Sequence, residues 1–267
     1  MLKMEGIFYS YFKNRPIITD LNLDIERGKI TTIAGPNGCG KSTVLKLASG
    51  LLRPQTGRIL LNEKNISLLS KKAMAREVSM LFQNSQIPDM TALRAVTAAR
   101  YPYQSFAGYT KADEEMSEYA MELTGCREFR HKHMAELSGG ERQRVFLAMI
   151  YNQDTPLILL DEPTTYLDIH VTYEVMELIR SLNKKQAKTV VLVLHDLNLA
   201  LQYSDSIILM NQGSIFNVHS PGDDRLLESI RTLFGVEVRN FTDNRNSYYC
   251  FAQSLNSETN KIIDKSK

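Results

Sequence analysis

Features that would suit this sequence to a membrane interior, to secretion or to nucleic acid are missing from it. No run of about eighteen apolar residues occurs in its 267 positions, so no spanning helix is expected and any membrane role is peripheral. The opening stretch Met1 to Lys13 lacks a continuous apolar core and a small-residue cleavage site, which argues against a secretory leader. Cysteine is scarce: Cys39, Cys126 and Cys250 are widely spaced and odd in number, with no C-x-x-C pair. Neither a disulfide framework nor a structural zinc site is therefore expected, and a reducing compartment is. The formal net charge of +2 gives no general case for nucleic acid. Internal repeats are absent. The length suits one α/β domain with its own core plus a small appendage.

The stretch that organises the rest is Ile30 to Leu51. Four β-favouring residues (Ile30 to Ile33) lead to Gly35, Pro36, Asn37, Gly38, Cys39, Gly40, Lys41 and Ser42, which fit G-x-x-x-x-G-K-[ST] without mismatch. The glycines let successive backbone N–H groups converge on phosphate oxygens, and a helix beginning near Lys41 adds its positive end. Lys41 would reach the β- and γ-phosphates. Ser42, and less firmly Thr43, would offer a hydroxyl to Mg²⁺, which takes oxygen ligands. The bland reading is a ligand-free turn, but the strand-loop-helix context that the motif requires is present.

Leu2 to Asp24 reads as two strands joined by the turn Lys13 to Pro16. Beyond the loop helix, strands are expected at Arg58 to Leu61 and at Glu77 to Phe82, the latter ending at Gln83. Asn84 to Glu136 reads as a mostly helical insertion. Within it Asp113 to Leu123 carries Met116, Tyr119, Ala120 and Leu123 at helical spacing, a stripe more often core than binding surface. The insertion ends in Leu137, Ser138, Gly139, Gly140 and Glu141 ahead of an apolar-periodic helix. Two glycines at a helix N-terminus, with Ser138 as hydroxyl donor, make a second anion-binding end, although alone this would be an ordinary cap.

Leu157 to Leu160 is an apolar run of the kind buried on both faces of a parallel sheet, and it delivers Asp161 and Glu162 at its carboxyl end. Beside a phosphate-binding loop, an Asp in that position holds Mg²⁺, usually through water, and the following Glu can take a proton from attacking water. Two solvated turn acids are the bland alternative. A helix is expected from Ile169 to Leu182. Thr189 to Leu194 repeats the buried pattern and delivers His195 and Asp196. A hairpin around Asn211 to Gly213, one helix (Asp224 to Phe234) and two weak strands follow. The tail from Ser254 to Lys267 is polar and is expected to fray.

Together the loop, Gln83, the segment LSGGE, the strand LILLDEP, the segment TYLD and the pair HD resemble, in this order, the ATPase subunit of an ATP-binding cassette (ABC) transporter over roughly Leu2 to Val218. LSGGE is the specific part, since the loop alone would suit many kinases or GTPases. The resemblance implies a P-loop NTPase of α/β class with an antiparallel β lead-in, a RecA-like parallel core and a helical signature subdomain at about 84–140. It implies a nucleotide-binding domain at 1–220, followed by a small appendage at 221–267. It also implies roles for ATP and Mg²⁺: Gln83 at Mg²⁺ or the lytic water, His195 at the γ-phosphate, and Asp168 in communication between two sites. Adenine would stack on Phe12 or Tyr11, with spacing favouring Phe12.

By the same resemblance two copies are expected head to tail, each ATP lying between one copy's loop and the signature of the other, with Cys39 placing a thiol beside the nucleotide. Permease subunits in the membrane, and through them an extracytoplasmic binding protein, would complete the assembly on the cytoplasmic face. The segment TTYLDI, Arg100 to Tyr103 and HDLNLALQYSD are similar to importers of ferric siderophores, haem and cobalamin, although Thr91 to Arg94 departs from that group's usual order. Alternatives are another ABC transporter type, or a soluble ABC ATPase acting on nucleic acid or the ribosome. The latter is disfavoured by the missing coiled-coil insertion, second cassette and basic excess. A P-loop kinase leaves LSGGE unexplained.

Overall fold

A computed structural model describes residues 1–13, 15–83, 86–104, 108–242 and 247–253. Asn14 of the first turn, Asn84 at the expected start of the insertion and the expected frayed tail from Ser254 lie outside the described residues.

The chain opens with an antiparallel pair, β1 (Leu2–Phe12) and β2 (Arg15–Ile25), whose Leu2, Met4, Ile7, Ile18, Leu21 and Ile25 turn one face inward. Next, β3 (Ile30–Ala34), buried throughout, feeds α1 (Lys41–Ala48). Then β4 (Thr56–Leu61) and β5 (Lys64–Asn65) complete a four-stranded sheet in the order β2-β1-β4-β5. Helix α2 (Lys71–Glu77) precedes β6 (Val78–Leu81). Glu77, expected in the strand, closes this helix instead; Ser70 Oγ caps its first turn by accepting from the Ala73 amide.

Among the described residues, three α-helices form the insertion and its exit: α3 (Ala92–Ala98), α4 (Lys111–Leu123) and α5 (Gly139–Gln153). The remainder alternates: β7 (Leu157–Asp161), α6 (Ile169–Gln186), β8 (Thr189–Val193), α7 (Leu197–Tyr203), β9 (Ser206–Asn211) and β10 (Ser214–His219). It ends in α8 (Asp224–Phe234) and the ribbon β11 (Val236–Thr242) and β12 (Ser247–Gln253). Helix α7 was not expected; its start is fixed by Asp196, whose Oδ1 accepts from the Asn198 amide at 2.8 Å.

The second sheet runs β10-β9-β3-β8-β7-β6, parallel from β9 to β6, with β10 antiparallel at the edge. Every residue of β3, β7 and β8 is buried, as a parallel sheet covered on both faces requires. Alternate side chains part to opposite layers. Leu157, Leu159, Val191 and Val193 pack with α1 and the antiparallel sheet, whereas Ile158, Leu160, Val190 and Leu192 pack with α5, α6 and α8. Leu226 and Ile230 of α8 lie in that second layer, so the segment after Pro221 is packed onto the core. The order also brings the carboxyl ends of β3, β7 and β8 side by side.

In α4 the expected stripe is not the core face. Ala120 is buried, but Met116, Tyr119 and Leu123 are exposed, and Asp113, Ser117 and Met121 face inward. Polar partners account for the difference: Arg100 Nε donates to Asp113 Oδ1 at 3.1 Å and Asn152 Nδ2 donates to Ser117 Oγ at 2.9 Å.

Candidate functional site

The loop between β3 and α1 is built where side chains have no room. A Cβ on Gly35 would stand 2.3 Å from the Met210 carbonyl oxygen, and one on Gly40 would stand 2.7 Å from Ile18 Cδ1. Gly40 also sits at φ 105°, in the left-handed region that suits glycine, and its carbonyl accepts from the Val44 amide at 2.9 Å to begin the helix. The Lys41 side chain folds back over the loop, donating to the Gly35 and Pro36 carbonyls at 2.7 and 3.0 Å. Its ammonium is thereby held against the loop backbone.

Cys39 behaves differently from the expectation of an accessible thiol. Its side chain is 5 % exposed and packs in the core beneath Gly35, and burial pushes the thiol above its usual range. Its backbone remains part of the loop, but its sulfur does not face the loop's outer side. Asn37 and Gly38 are the exposed residues there.

Ser42, in the first turn of α1, donates to Asp161 Oδ1 at 3.0 Å. Asp161 is 4 % exposed, and burial raises its carboxyl above the ordinary range while the Ser42 bond opposes the rise. A hydroxyl and a buried carboxylate at this spacing are the hard oxygen donors that suit Mg²⁺, so the residues present fit that ion. Among the described residues no cluster of three or more His, Cys, Asp or Glu is placed to hold a metal.

Glu162 follows at φ 52°, a left-handed conformation costing a non-glycine residue about 1–2 kcal/mol. It is held there by its neighbours. Its amide donates to the Val193 carbonyl at 3.1 Å, joining the tips of β7 and β8. Its Oε2 accepts from Gln83 Nε2 at 2.5 Å and from Thr165 Oγ1 at 2.9 Å, while His195 Nε2 lies 2.6 Å from Oε1. Gln83, Glu162 and His195, far apart in sequence, thus meet beside the Ser42–Asp161 pair. Thr165 was missed in the sequence; the only local signal was a hydroxyl three residues beyond the acid.

Leu137, Ser138, Gly139, Gly140 and Glu141 stand elsewhere on the molecule. Ser138 caps α5 in a reciprocal pair: the Glu141 amide donates to Ser138 Oγ at 3.3 Å and the Ser138 amide donates to Glu141 Oε2 at 2.7 Å. The Ser138 amide holds the Glu141 carboxyl below the usual range. Leu137 is buried in the helical layer. Ser138, Gly139 and Gly140 line a surface depression with Tyr166 and Asp168, not with the loop at 35–42. Asp168 caps α6, its Oδ1 accepting from the Val171 amide at 2.9 Å, and the neighbouring Tyr166 is 93 % exposed. The aromatic candidates differ: Tyr11 packs edge-on against Tyr9 with its hydroxyl 3.5 Å from Thr43 Oγ1, whereas Phe12 is 73 % exposed.

The family model described as ABC transporter matches residues 18–165. Among curated proteins, the chain is 43 % identical over 229 residues to the petrobactin import ATP-binding protein FpuD of Bacillus anthracis, covering 85 % of this chain and 84 % of that one. It is 37 % identical over 261 residues to the iron(3+)-hydroxamate import ATP-binding protein FhuC of Bacillus subtilis, covering 97 % and 96 %. Among solved structures, a dimeric post-hydrolysis state of the ATP-binding cassette MJ0796 bound to ADP and Pi superposes with a TM-score of 0.76 at 27 % identity, covering 84 % of this chain and all of that one.

Proposed function

This chain belongs to the ABC transporter family and is its ATP-binding, ATP-hydrolysing component, and we propose that it powers import of a metal chelate of the ferric siderophore, haem or cobalamin type through a separate permease. The cargo class is supported by the two curated relatives, whose names assign them petrobactin and iron(3+)-hydroxamate import. The ATPase reading is carried by one observation: Gln83 and His195 converge on Glu162 beside the Ser42–Asp161 pair at the phosphate loop.

In this reading the amides from Gly35 to Thr43, with Lys41, bind the phosphates, and adenine rests on Phe12 or Tyr11. Phe12 has the free surface for stacking, whereas Tyr11 is already turned toward Thr43. Ser42, Asp161 and Gln83 would hold Mg²⁺, which supplies charge neutralisation on the phosphates when bound. Glu162 receives a proton from attacking water, and His195 holds the other carboxylate oxygen while facing the γ-phosphate.

A second copy would lay Leu137 to Glu141 over the nucleotide from the opposite side, its helix N-terminus aimed at phosphate and its Asp168 at the interface. Residues 1–220 form the nucleotide-binding domain, with a helical part at about 84–140 and an appendage at 221–267. No helix among the described residues is long and apolar enough to cross a membrane. Attachment to the cytoplasmic face would come through the permease, which in turn would receive its cargo from a binding protein outside.

Deleting the gene and measuring uptake of radiolabelled iron chelates tests the cargo. Loss of ferric hydroxamate or related chelate uptake, restored by the wild-type chain but not by Lys41→Ala, is expected. Unchanged chelate uptake with loss of sugar or amino-acid uptake would overturn the class.

A further inference from the structure

Thr165 belongs to none of the roles above, yet its side chain touches the residue on which the chemistry turns. Its Oγ1 donates to Glu162 Oε2 at 2.9 Å, and its amide approaches the Glu162 carbonyl at 3.3 Å, closing a turn over Pro163 and Thr164. The turn is anchored from a third side by Gln143 Nε2, which donates to the Pro163 carbonyl at 2.6 Å from helix α5. Glu162 needs such support. Its backbone is left-handed, and the carboxylate is pulled toward His195 through Oε1 and toward Gln83 through Oε2.

Gln83 lies just beyond β6 and His195 just beyond β8. Both reach Glu162 from neighbouring strands of the sheet and not from its own segment. Thr165 shares a four-residue turn with it, so the bond to Thr165 ties the carboxylate to its own segment, beside the bonds from Gln83 and His195.

We propose that Thr165 is a positioning residue, whose hydroxyl holds the Glu162 carboxylate in the orientation that receives the proton of attacking water. The proposal rests on Glu162 having that role. A carboxylate free to swing by about 1 Å loses much of the advantage of alignment, which is worth on the order of 100-fold in rate. Binding of nucleotide is left to the loop and Lys41, which Thr165 does not touch.

A merely structural role for the hydroxyl, as a local turn bond, predicts something else: loss of thermal stability and of nucleotide affinity together. The two are separated by steady-state kinetics on the full chain assembled with its permease. Thr165→Val, close in shape but without the hydroxyl, is expected to lower kcat about 10- to 100-fold with KM for ATP and melting temperature near wild type. Thr165→Ser, which keeps the hydroxyl, is expected to recover most of the rate.

A double-mutant cycle then shows whether the effect runs through Glu162. In a Glu162→Gln background, with turnover already low, Thr165→Val is expected to add less than twofold. A Thr165→Val protein with wild-type kcat, a Ser variant as slow as the Val variant, or full additivity in the cycle would overturn the proposal. If Glu162→Gln alone keeps wild-type turnover, the role of Glu162 fails and this inference falls with it; a slow Glu162→Gln beside a fast Thr165→Val rejects the inference alone.

Discussion

The Ser42 hydroxyl and Asp161 Oδ1 meet at 3.0 Å although 119 positions separate them in the chain. The contact exists because β3 and β7 both flank β8 and all three run in one direction, so the loop after β3 and the tip of β7 open at the same sheet edge. Its oxygen pair is the proposed Mg²⁺ site. Asp161→Asn is expected to raise the Mg²⁺ concentration for half-maximal ATPase activity by about 10- to 100-fold. Titrating Mg²⁺ at fixed ATP measures this, and an unchanged Mg²⁺ requirement would separate Asp161 from the ion.

Gly35 is the position where the loop has least freedom. An added methyl would fall 2.3 Å from the Met210 carbonyl and 2.9 Å from Cys39 Sγ, atoms held by β9 and by the core. Gly35→Ala is expected to cost about 1–3 kcal/mol in stability through backbone displacement, and to weaken ATP binding as well. Denaturant unfolding with and without nucleotide reads both effects.

The proposed head-to-tail pairing has a covalent test. Native Cys39 and Cys126 are buried, so the exposed loop residue Asn37 and the exposed Ser138 are the positions to convert. With Cys250 replaced by Ser, the Asn37→Cys/Ser138→Cys chain is expected to give a band of twice the monomer mass under oxidation in the presence of ATP. Each single Cys variant is expected to give none. A dimer band from Ser138→Cys alone would mean that signature faces signature.

Asp113 links acidity to the helical layer. The Thr110 backbone amide, the strongest influence, holds its carboxyl below the usual range, with the Thr110 hydroxyl and Arg100 assisting against burial. A depressed carboxylate contributes stability that is present above its unfolded-state pKa, about 4, and is lost as pH falls through the lower folded value. The melting temperature of the wild type is therefore expected to fall more steeply below about pH 4 than that of Asp113→Asn. Parallel slopes would show that Asp113 contributes nothing to acid unfolding.

Much of this is legible in the sequence, for reasons that differ between residues. The loop from Gly35 to Ser42 was readable because backbone approach to phosphate demands glycine at fixed places, and the buried strands β7 and β8 because both faces must be apolar. The acids Asp161 and Glu162 were located by the strand that ends at them. What sequence could not show is direction. Cys39 packs its sulfur inward against Gly35 and the core, and α4 turns Asp113 and Ser117 to the core because Arg100 and Asn152 meet them there. Thr165 was hidden for the same reason: a threonine three residues past an acid is common, and only the turn around Pro163 brings its hydroxyl to Glu162.

In the proposed mechanism Glu162 receives the proton of attacking water, whereas Lys41 and the loop bind the nucleotide. The most direct measurement is ATP turnover and ATP retention by purified Glu162→Gln, assembled with its permease, beside wild type and Lys41→Ala. For Glu162→Gln, ATP affinity within about twofold of wild type and turnover lower by a factor of roughly 10² to 10⁴ are expected, with binding itself lost in Lys41→Ala. Turnover by Glu162→Gln near the wild-type rate would contradict this mechanism.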